Sequence, residues 1–155
     1  MKKPLNTKEH IVQTFIDILS KKTVSRVSIQ DICKCAFISR RTFYNYFDNL
    51  EQLADFSCYF IVMKTSATND FESLVTTLIH YSPYINKLIN TNYFNNIHRH
   101  LTVAIANTVR TVTPNNSLRA SAIAFLLLDF LREGKDMSIL NEIISLYHTF
   151  FGRSN

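Results

Sequence analysis

Glycine and proline are scarce in this chain, which has two glycines and three prolines in 155 residues. Folds built from strands and tight turns need such residues at many of their turns, so the scarcity disfavours them. Apolar residues instead recur every three or four positions along most of the chain, which is the spacing of amphipathic helices. With a hydrophobic content of 46%, the chain can bury a core. The sequence therefore predicts an all-α fold.

Capping residues mark where the first three helices are expected to begin. Thr7 is a candidate N-cap for the first helix, Ser28 for the second and Ser39 for the third. Asp31 lies three residues after Ser28, which is the spacing of a capping box. These positions predict three helices before residue 48.

A fourth helix is expected to open at Asp48 or Asn49 and to connect the N-terminal part of the chain to the rest. Its inward-facing stripe is predicted to consist of Leu53, Phe56, Phe60 and Met63. The segment Thr65 to Asn69 is the expected boundary, which divides the chain into residues 1–65 and 66–155.

Helices are also predicted throughout the second part of the chain. Pro83 should end one helix and start the next. Pro114-Asn115-Asn116 is expected to form a turn, with Asn116 or Ser117 capping the helix that follows.

The net charge of +5 is concentrated in the first third of the chain. Up to Leu50, nine lysines and arginines face four acidic residues, whereas from Glu51 onward there are eight of each. Such a concentration is typical of a phosphate-binding surface, although a solvated basic end of the chain would give the same count.

Residues 28–47 read as two short helices joined by a tight turn. The second helix carries cations, hydroxyls and an amide around two apolar anchors, Phe43 and Phe47. A helix that reads DNA needs this mixture, because one side is buried and the other contacts phosphates and base edges.

The stretch from Ser28 to Leu53 resembles the N-terminal DNA-binding domain of the tetracycline-repressor (TetR) family. The similar features are Ile38-Ser39, then Thr42-Phe43-Tyr44-x-x-Phe47, then Asn49-x-Glu51-x-Leu53. With the first helix, the match covers roughly residues 7–60. Residues from about 70 to 151 are more weakly similar to the regulatory domains of a short subgroup, which includes regulators related to dihydroxyacetone-kinase operons.

The resemblance implies an all-helical homodimer whose three N-terminal helices bind double-stranded operator DNA. Arg40, Arg41 and Asn45 would face the bases, although a phosphate clamp is an equally open role for either arginine. Ser28 would meet phosphate at the start of its helix. The expected DNA-binding residues are Ser28, Ser39, Arg40, Arg41, Thr42, Tyr44, Asn45 and Tyr46.

Two positions depart from the family pattern. Phe37 stands where the turn usually has glycine, so we expect either a differently shaped turn or burial of the Phe37 ring. Leu50 stands where a lysine commonly clamps phosphate, so that contact should be missing.

The last two predicted helices are apolar over more than one stripe, and residues 122–128 form a run of seven apolar residues. A second stripe indicates packing against another chain, although two ordinary core helices would also explain it. The expected dimer interface consists of Ile123, Leu127, Leu131, Ile143, Tyr147 and Phe150.

Aromatic and histidine residues cluster around the break at Pro83. Such a cluster is a candidate pocket for a small-molecule effector, with ordinary core packing as the alternative. The candidate residues are His80, Tyr81, Tyr84, Tyr93, Phe94 and His98.

Other classes of protein are not expected. The spacing of Cys33-x-Cys35 and of His98-x-His100 places each pair on different helix faces, so we expect no metal site and no cofactor. The sequence lacks a glycine-rich phosphate loop and a nucleophile elbow, so we do not expect an enzyme. We expect no membrane span and no signal peptide, and therefore a cytoplasmic protein.

The sequence and the resemblance together predict a transcriptional regulator, a repressor that occupies a pseudo-palindromic operator as a dimer. The alternative is an interaction protein or co-activator whose C-terminal helices bind a different protein.

Overall fold

The computed structural model describes residues 6–66, 70–90, 93–109, 114–134 and 136–152. These ranges contain nine α-helices and no strand, so the all-α prediction is confirmed. A short 3-10 turn, Val24–Arg26, separates the first two helices. In chain order the helices are α1 Thr7–Lys21, α2 Ile29–Cys35, α3 Arg40–Tyr44, α4 Leu50–Ser66, α5 Phe71–His80, α6 Ser82–Ile89, α7 Phe94–Asn107, α8 Pro114–Glu133 and α9 Met137–Phe151.

The first three helices begin close to the predicted caps. Ser28 and Ser39 are the N-caps of α2 and α3, as predicted. The prediction for α1 was wrong by one residue, because the cap is Asn6, whose Oδ1 accepts a hydrogen bond of 2.9 Å from the Glu9 backbone N–H. Thr7 is instead the first helical residue.

Helix α4 begins as predicted but faces the core differently. Asn49 caps it, with the Gln52 backbone N–H donating to the Asn49 Oδ1 at 2.8 Å. Leu53 is fully buried, whereas Met63 is 48% exposed, so the predicted stripe was wrong at its end. The helix packs against α1, α5 and α7, which makes its buried face broad. That face consists of Leu53, Ala54, Ser57, Cys58, Ile61 and Val62, with Phe56 and Phe60 partly buried.

The predicted break at Pro83 is confirmed. Helix α5 ends at His80 and α6 begins at Ser82, with Tyr81 between them. Helix α6 packs against α1, where the Lys87 ammonium donates hydrogen bonds to the carbonyls of Ser20, at 3.2 Å, and Lys22, at 3.1 Å. Lys87 therefore satisfies carbonyl groups at the C-terminal end of α1.

The predicted turn at Pro114-Asn115-Asn116 was wrong, because these residues form the first turn of α8. Proline is compatible with that position, since the first N–H groups of a helix have no partner inside the helix. Helix α8 ends before Gly134, which has a positive φ of 114°.

One continuous apolar core extends through the described residues. Helix α4 packs against α1, which precedes it in the chain, and against α5 and α7, which follow it. The expected division into residues 1–65 and 66–155 falls near the end of α4, and residues 67–69 of the expected boundary lie outside the described residues. None of the described helices is long and apolar enough to cross a membrane.

The revised orientation of α4 can be tested with two substitutions in that helix. Leu53→Ala should lower the free energy of unfolding by about 2–5 kcal/mol, because it leaves a cavity at a fully buried position. Met63→Ala is the control and should change it by less than about 0.5 kcal/mol. Urea unfolding followed by circular dichroism measures both, and equal losses would contradict this orientation.

Candidate DNA-binding surface

Helix α2 begins with the capping box that the sequence predicted. The Asp31 backbone N–H donates to the Ser28 Oγ at 3.1 Å, and the Ser28 backbone N–H donates to an Asp31 carboxylate oxygen at 3.1 Å. The Ser28 hydroxyl also donates to that oxygen, at 2.8 Å, and this bond is the main reason why the pKa of Asp31 lies below its ordinary value. A phosphate approaching this helix start would meet the Asp31 carboxylate beside the Ser28 hydroxyl.

Two buried rings hold α3 in place. Phe43 and Phe47 are almost fully buried, with ring centroids 6.0 Å apart, and the Phe47 ring lies 5.7 Å from that of Phe56 on α4. Ser39 caps the helix, because its Oγ accepts a hydrogen bond of 3.0 Å from the Thr42 backbone N–H. The Ser39 and Thr42 hydroxyls also share a hydrogen bond of 2.9 Å.

The polar side of α3 and of the residues that follow it faces outward. Arg40 and Arg41 are exposed, and neither forms an ion pair with another described residue. Tyr44 is 51% exposed and Tyr46 is 41% exposed, and Asn45 between them is exposed as the C-cap of the helix. The structure therefore places most of the predicted DNA-binding residues on an accessible surface, which we call the α3 surface and define as Ser39, Arg40, Arg41, Thr42, Tyr44, Asn45 and Tyr46.

The turn between α2 and α3 contradicts both expectations for Phe37. Its φ is +54°, the left-handed conformation that glycine usually provides, and its side chain is 94% exposed. The backbone forms a Schellman motif, in which the Ile38 N–H donates to the Cys33 carbonyl at 3.0 Å and the Phe37 N–H to the Lys34 carbonyl at 3.4 Å. The turn thus keeps its ordinary shape with a phenylalanine in the glycine position.

His10 contributes a contact that the sequence did not reveal. Its Nε2 lies 3.2 Å from the carbonyl oxygen of Ala36, so the protonated nitrogen can donate a hydrogen bond from α1 to the turn. The two residues are 26 positions apart, and no local pattern indicates such a contact.

Leu50, which replaces the lysine of the family pattern, is the first residue of α4 and is partly buried against the core. Its side chain therefore adds to packing and offers no charge to a phosphate.

The six candidate effector residues do not form one cluster. His80, Tyr81 and Tyr84 line a cavity of about 190 Å³ beside α1. Phe94 and His98 instead pack against α8, where the His98 Nε2 lies 3.0 Å from the Ser121 carbonyl oxygen. The first cavity is smaller than the roughly 300–1,000 Å³ typical of ligand pockets.

Tyr84 lies in the interior, with its hydroxyl beside Ser57 and Cys58 but without a hydrogen bond of good geometry to any residue that the structure describes. Burial raises the pKa of this hydroxyl well above its ordinary value and raises the pKa of the Cys58 thiol to about 12. Both groups therefore stay neutral at physiological pH.

A larger cavity, of about 820 Å³, lies where the sequence placed no site. It lies beside the start of α5 and the second half of α9. Asp70, Glu72 and His148 are among its polar lining residues. The Phe71 and Tyr147 rings, which stack 3.8 Å apart, form part of its wall. The described residues contain no group of three or more histidine, cysteine or acidic side chains that could hold a metal ion.

Most of the residues predicted for the dimer interface are buried within the chain itself. Phe150 is partly buried, and the other five have 4% or less of their surface exposed: Ile123, Leu127, Leu131, Ile143 and Tyr147. These five residues therefore cannot be the main contacts with another chain. The sequence showed that α8 and α9 carry an excess of apolar residues but not which of them face inward. The exposed large apolar residues on these helices are Leu118, Phe125, Met137 and Ile139.

Comparison with solved structures identifies the fold. No family model matches the sequence. The solved structure described as the dihydroxyacetone kinase operon activator DhaS superposes with a TM-score of 0.68 at 19% identity, over 94% of this chain and 96% of that one. A TetR-family repressor, AlkX from Dietzia sp. strain DQ12-45-1b, gives 0.62 at 18% identity, over 98% of this chain and 100% of its own.

This chain has the TetR fold. The resemblance predicted from residues 28–53 is thereby confirmed at the level of the fold. A curated sequence relative, the HTH-type dhaKLM operon transcriptional activator DhaS of Lactococcus lactis subsp. lactis strain IL1403, is 35% identical over 89 residues. That match covers 57% of this chain and 43% of the relative, so the chain spans less than half the length of the relative.

Because Phe37 has a left-handed backbone, we expect its replacement by glycine to stabilise the protein. A left-handed non-glycine residue costs about 1–2 kcal/mol, whereas the added freedom of glycine in the unfolded chain costs about 0.4–1 kcal/mol. The difference between these two terms is a rise of about 0–1.6 kcal/mol in the free energy of unfolding of Phe37→Gly. Urea unfolding measures the change, with Lys34→Gly inside α2 as a control that should be destabilised. A marked loss of stability in Phe37→Gly would contradict this interpretation of the turn.

Proposed function

We propose that this chain is a DNA-binding transcriptional regulator of the TetR type. The observation that carries the proposal is the α3 surface, where two exposed arginines stand beside exposed tyrosines and an amide on a segment anchored by Phe43 and Phe47. The excess positive charge of the chain also lies in this N-terminal part. Such a surface suits the phosphates and base edges of duplex DNA.

The chemistry of the side chains assigns a role to each group. Arg40 and Arg41 can donate two hydrogen bonds to guanine or clamp a phosphate, and Asn45 can pair with adenine. Tyr44 and Tyr46 present hydroxyl groups that can contact the DNA backbone. Thr42 is half-buried and shares a hydrogen bond with Ser39, so its contact would be with a phosphate close to the helix start.

A regulator with one such helix in each subunit would bind two half-sites as a homodimer. We place the dimer contact on the exposed faces of α8 and α9. Leu118 is 75% exposed and Phe125, two helical turns later, is 50% exposed, with the exposed Ala122 between them. Met137 and Ile139 are further exposed apolar residues, in the first turn of α9. An apolar, self-complementary face is typical of a two-fold interface.

We propose that residues 1–65 bind DNA and that residues 66–155 form the dimer and hold any effector. An effector would act by favouring a dimer whose α3 helices no longer match the spacing of the half-sites. The cavity between α5 and α9 is better suited to such a ligand than the cavity beside Pro83, because its volume of about 820 Å³ lies within the roughly 300–1,000 Å³ typical of ligand pockets.

The sign of regulation is a separate proposal. A dimer that occupies an operator can repress simply by excluding other proteins, and we propose repression on that basis. The curated relative, however, is named an operon activator, which favours a second candidate function in which the C-terminal helices bind a different protein. A reporter gene placed behind the bound DNA distinguishes them, since deletion of this protein raises expression in the first case and lowers it in the second.

The role of Arg41 can be tested by DNA binding at several salt concentrations. Arg41→Ala should weaken binding, because it removes an exposed positive charge from the α3 surface. Loss of a phosphate clamp would lower affinity on all sequences and reduce the salt slope by about one, whereas loss of a base contact would cost about 1–3 kcal/mol and relax sequence preference. Fluorescence anisotropy measures both effects.

Lys64→Ala is the matched control for Arg41→Ala. It also removes one positive charge, but from the C-terminal end of α4, which is the end away from the α3 surface. It should leave DNA binding nearly unchanged. Equal behaviour of the two variants would exclude Arg41 from the DNA-binding surface.

The revised dimer surface makes a prediction for the mass in solution. Phe125→Glu should convert a dimer into a monomer of about 18.0 kDa, because it places a charge in the centre of the apolar face. Light scattering coupled to gel filtration measures the mass. Val103→Glu on α7 is the control, since Val103 is 55% exposed and lies on another helix. A dimer that survives Phe125→Glu would place the interface elsewhere.

A further inference from the structure

The Phe37 side chain combines two unfavourable features that the fold itself does not need. Its backbone is in the left-handed region at φ +54°, and its ring is 94% exposed. Glycine would satisfy the same Schellman motif without strain and without an exposed aromatic ring. Strained residues occur mostly at functional sites, so this combination indicates that Phe37 has a role in function.

The surrounding structure fixes the direction in which the ring projects. Ala36 is buried and Ile38 packs against the core, so Phe37 is the outward residue of this three-residue turn. The turn is held by the hydrogen bonds to Cys33 and Lys34 and by His10, which lies 3.2 Å from the Ala36 carbonyl oxygen. The ring is therefore presented from a rigid backbone.

The position of the turn indicates what the ring meets. Ser39, the N-cap of α3, is two residues after Phe37, and Arg40 and Arg41 form the first turn of that helix. In helix-turn-helix proteins the N-terminal residues of the recognition helix contact base edges in the major groove. With α3 in the groove as proposed, a side chain that projects from the turn just before it would lie at the edge of the same groove.

We propose that Phe37 is a DNA-contacting residue that packs its ring against an apolar group at the edge of the major groove. This inference rests on the proposed DNA-binding function. The apolar groups available there are the C5-methyl of thymine, which phenylalanine can contact, and the carbon atoms of deoxyribose. The contact compensates for the phosphate clamp that is missing at Leu50, because it adds an interaction that needs no charge.

The test uses the full chain with three substitutions at residue 37 and a duplex that the wild-type protein selects from random DNA. Phe37→Gly and Phe37→Asn suit the left-handed backbone and remove the ring, whereas Phe37→Tyr keeps the ring. Both ring-less variants should bind on the order of tenfold more weakly, equivalent to about 1.4 kcal/mol, while Phe37→Tyr should bind like the wild type. The thermal midpoint of Phe37→Gly should not fall below that of the wild type.

Val103→Ala is the control for removal of an exposed apolar side chain, and it should leave DNA binding unchanged. A second duplex, with deoxyuridine in place of every thymidine, distinguishes the two apolar groups. If the difference between wild type and Phe37→Gly disappears on that duplex, the ring contacts a thymine methyl. If the difference persists, the ring contacts deoxyribose, and both results support the proposal.

Three results would overturn it. Wild-type protein that selects no DNA would remove the proposed function and this inference with it. If Phe37→Gly is folded and binds DNA as tightly as the wild type, the ring does not contact DNA, and the proposed DNA-binding function is unaffected. Phe37→Gly that keeps its DNA affinity but forms a smaller assembly in light scattering would assign the ring to a protein contact instead.

Discussion

A helix of five residues is too short to be stable by itself, so α3 depends on the burial of Phe43 and Phe47. These two rings attach α3 and the residues that follow it to the core formed by α1 and α4. Because one side of this short segment is fixed in this way, its arginines, tyrosines and asparagine are held on the opposite side. The exposed surface that supports the proposed function is thus a consequence of two apolar anchors.

The core also joins this surface to the rest of the chain. Lys87 on α6 donates to carbonyls at the end of α1, and Asp55 on α4 lies 3.1 Å from the Nε2 of His100 and 3.4 Å from an Arg99 nitrogen on α7. A change in the packing of α6 or α7 therefore reaches α1 and α4 through direct contacts. In the proposed function, these contacts connect a ligand or a partner at the C-terminal helices to the helices that carry α3.

Local features of the sequence predicted the fold well. The caps at Ser28 and Ser39, the break at Pro83 and the burial of Phe43 and Phe47 depend on neighbouring residues, and all were confirmed. Features that depend on distant contacts were predicted poorly. Met63 follows the helical period of Leu53 but is exposed, because the position of α5 and α7 decides which side of α4 is covered.

The apolar helices α8 and α9 show the same limit. Their composition indicates more burial than one face requires, but a sequence does not say which apolar residues contact the chain itself. Ile123 and Leu127 are inward, and Leu118 and Phe125 are outward, although all four belong to the same helix. Phe37 is the opposite case, since the sequence identified it as a departure from the pattern and only the structure showed that the turn keeps its shape.

The most direct measurement is selection of binding sites by the wild-type protein from a pool of random duplex DNA. The proposed function predicts enrichment of one inverted repeat whose half-site centres lie about 34–36 Å apart, because each subunit presents one α3 surface. A pool that shows no enrichment over DNA carried through without protein would contradict the claim that the α3 surface reads DNA.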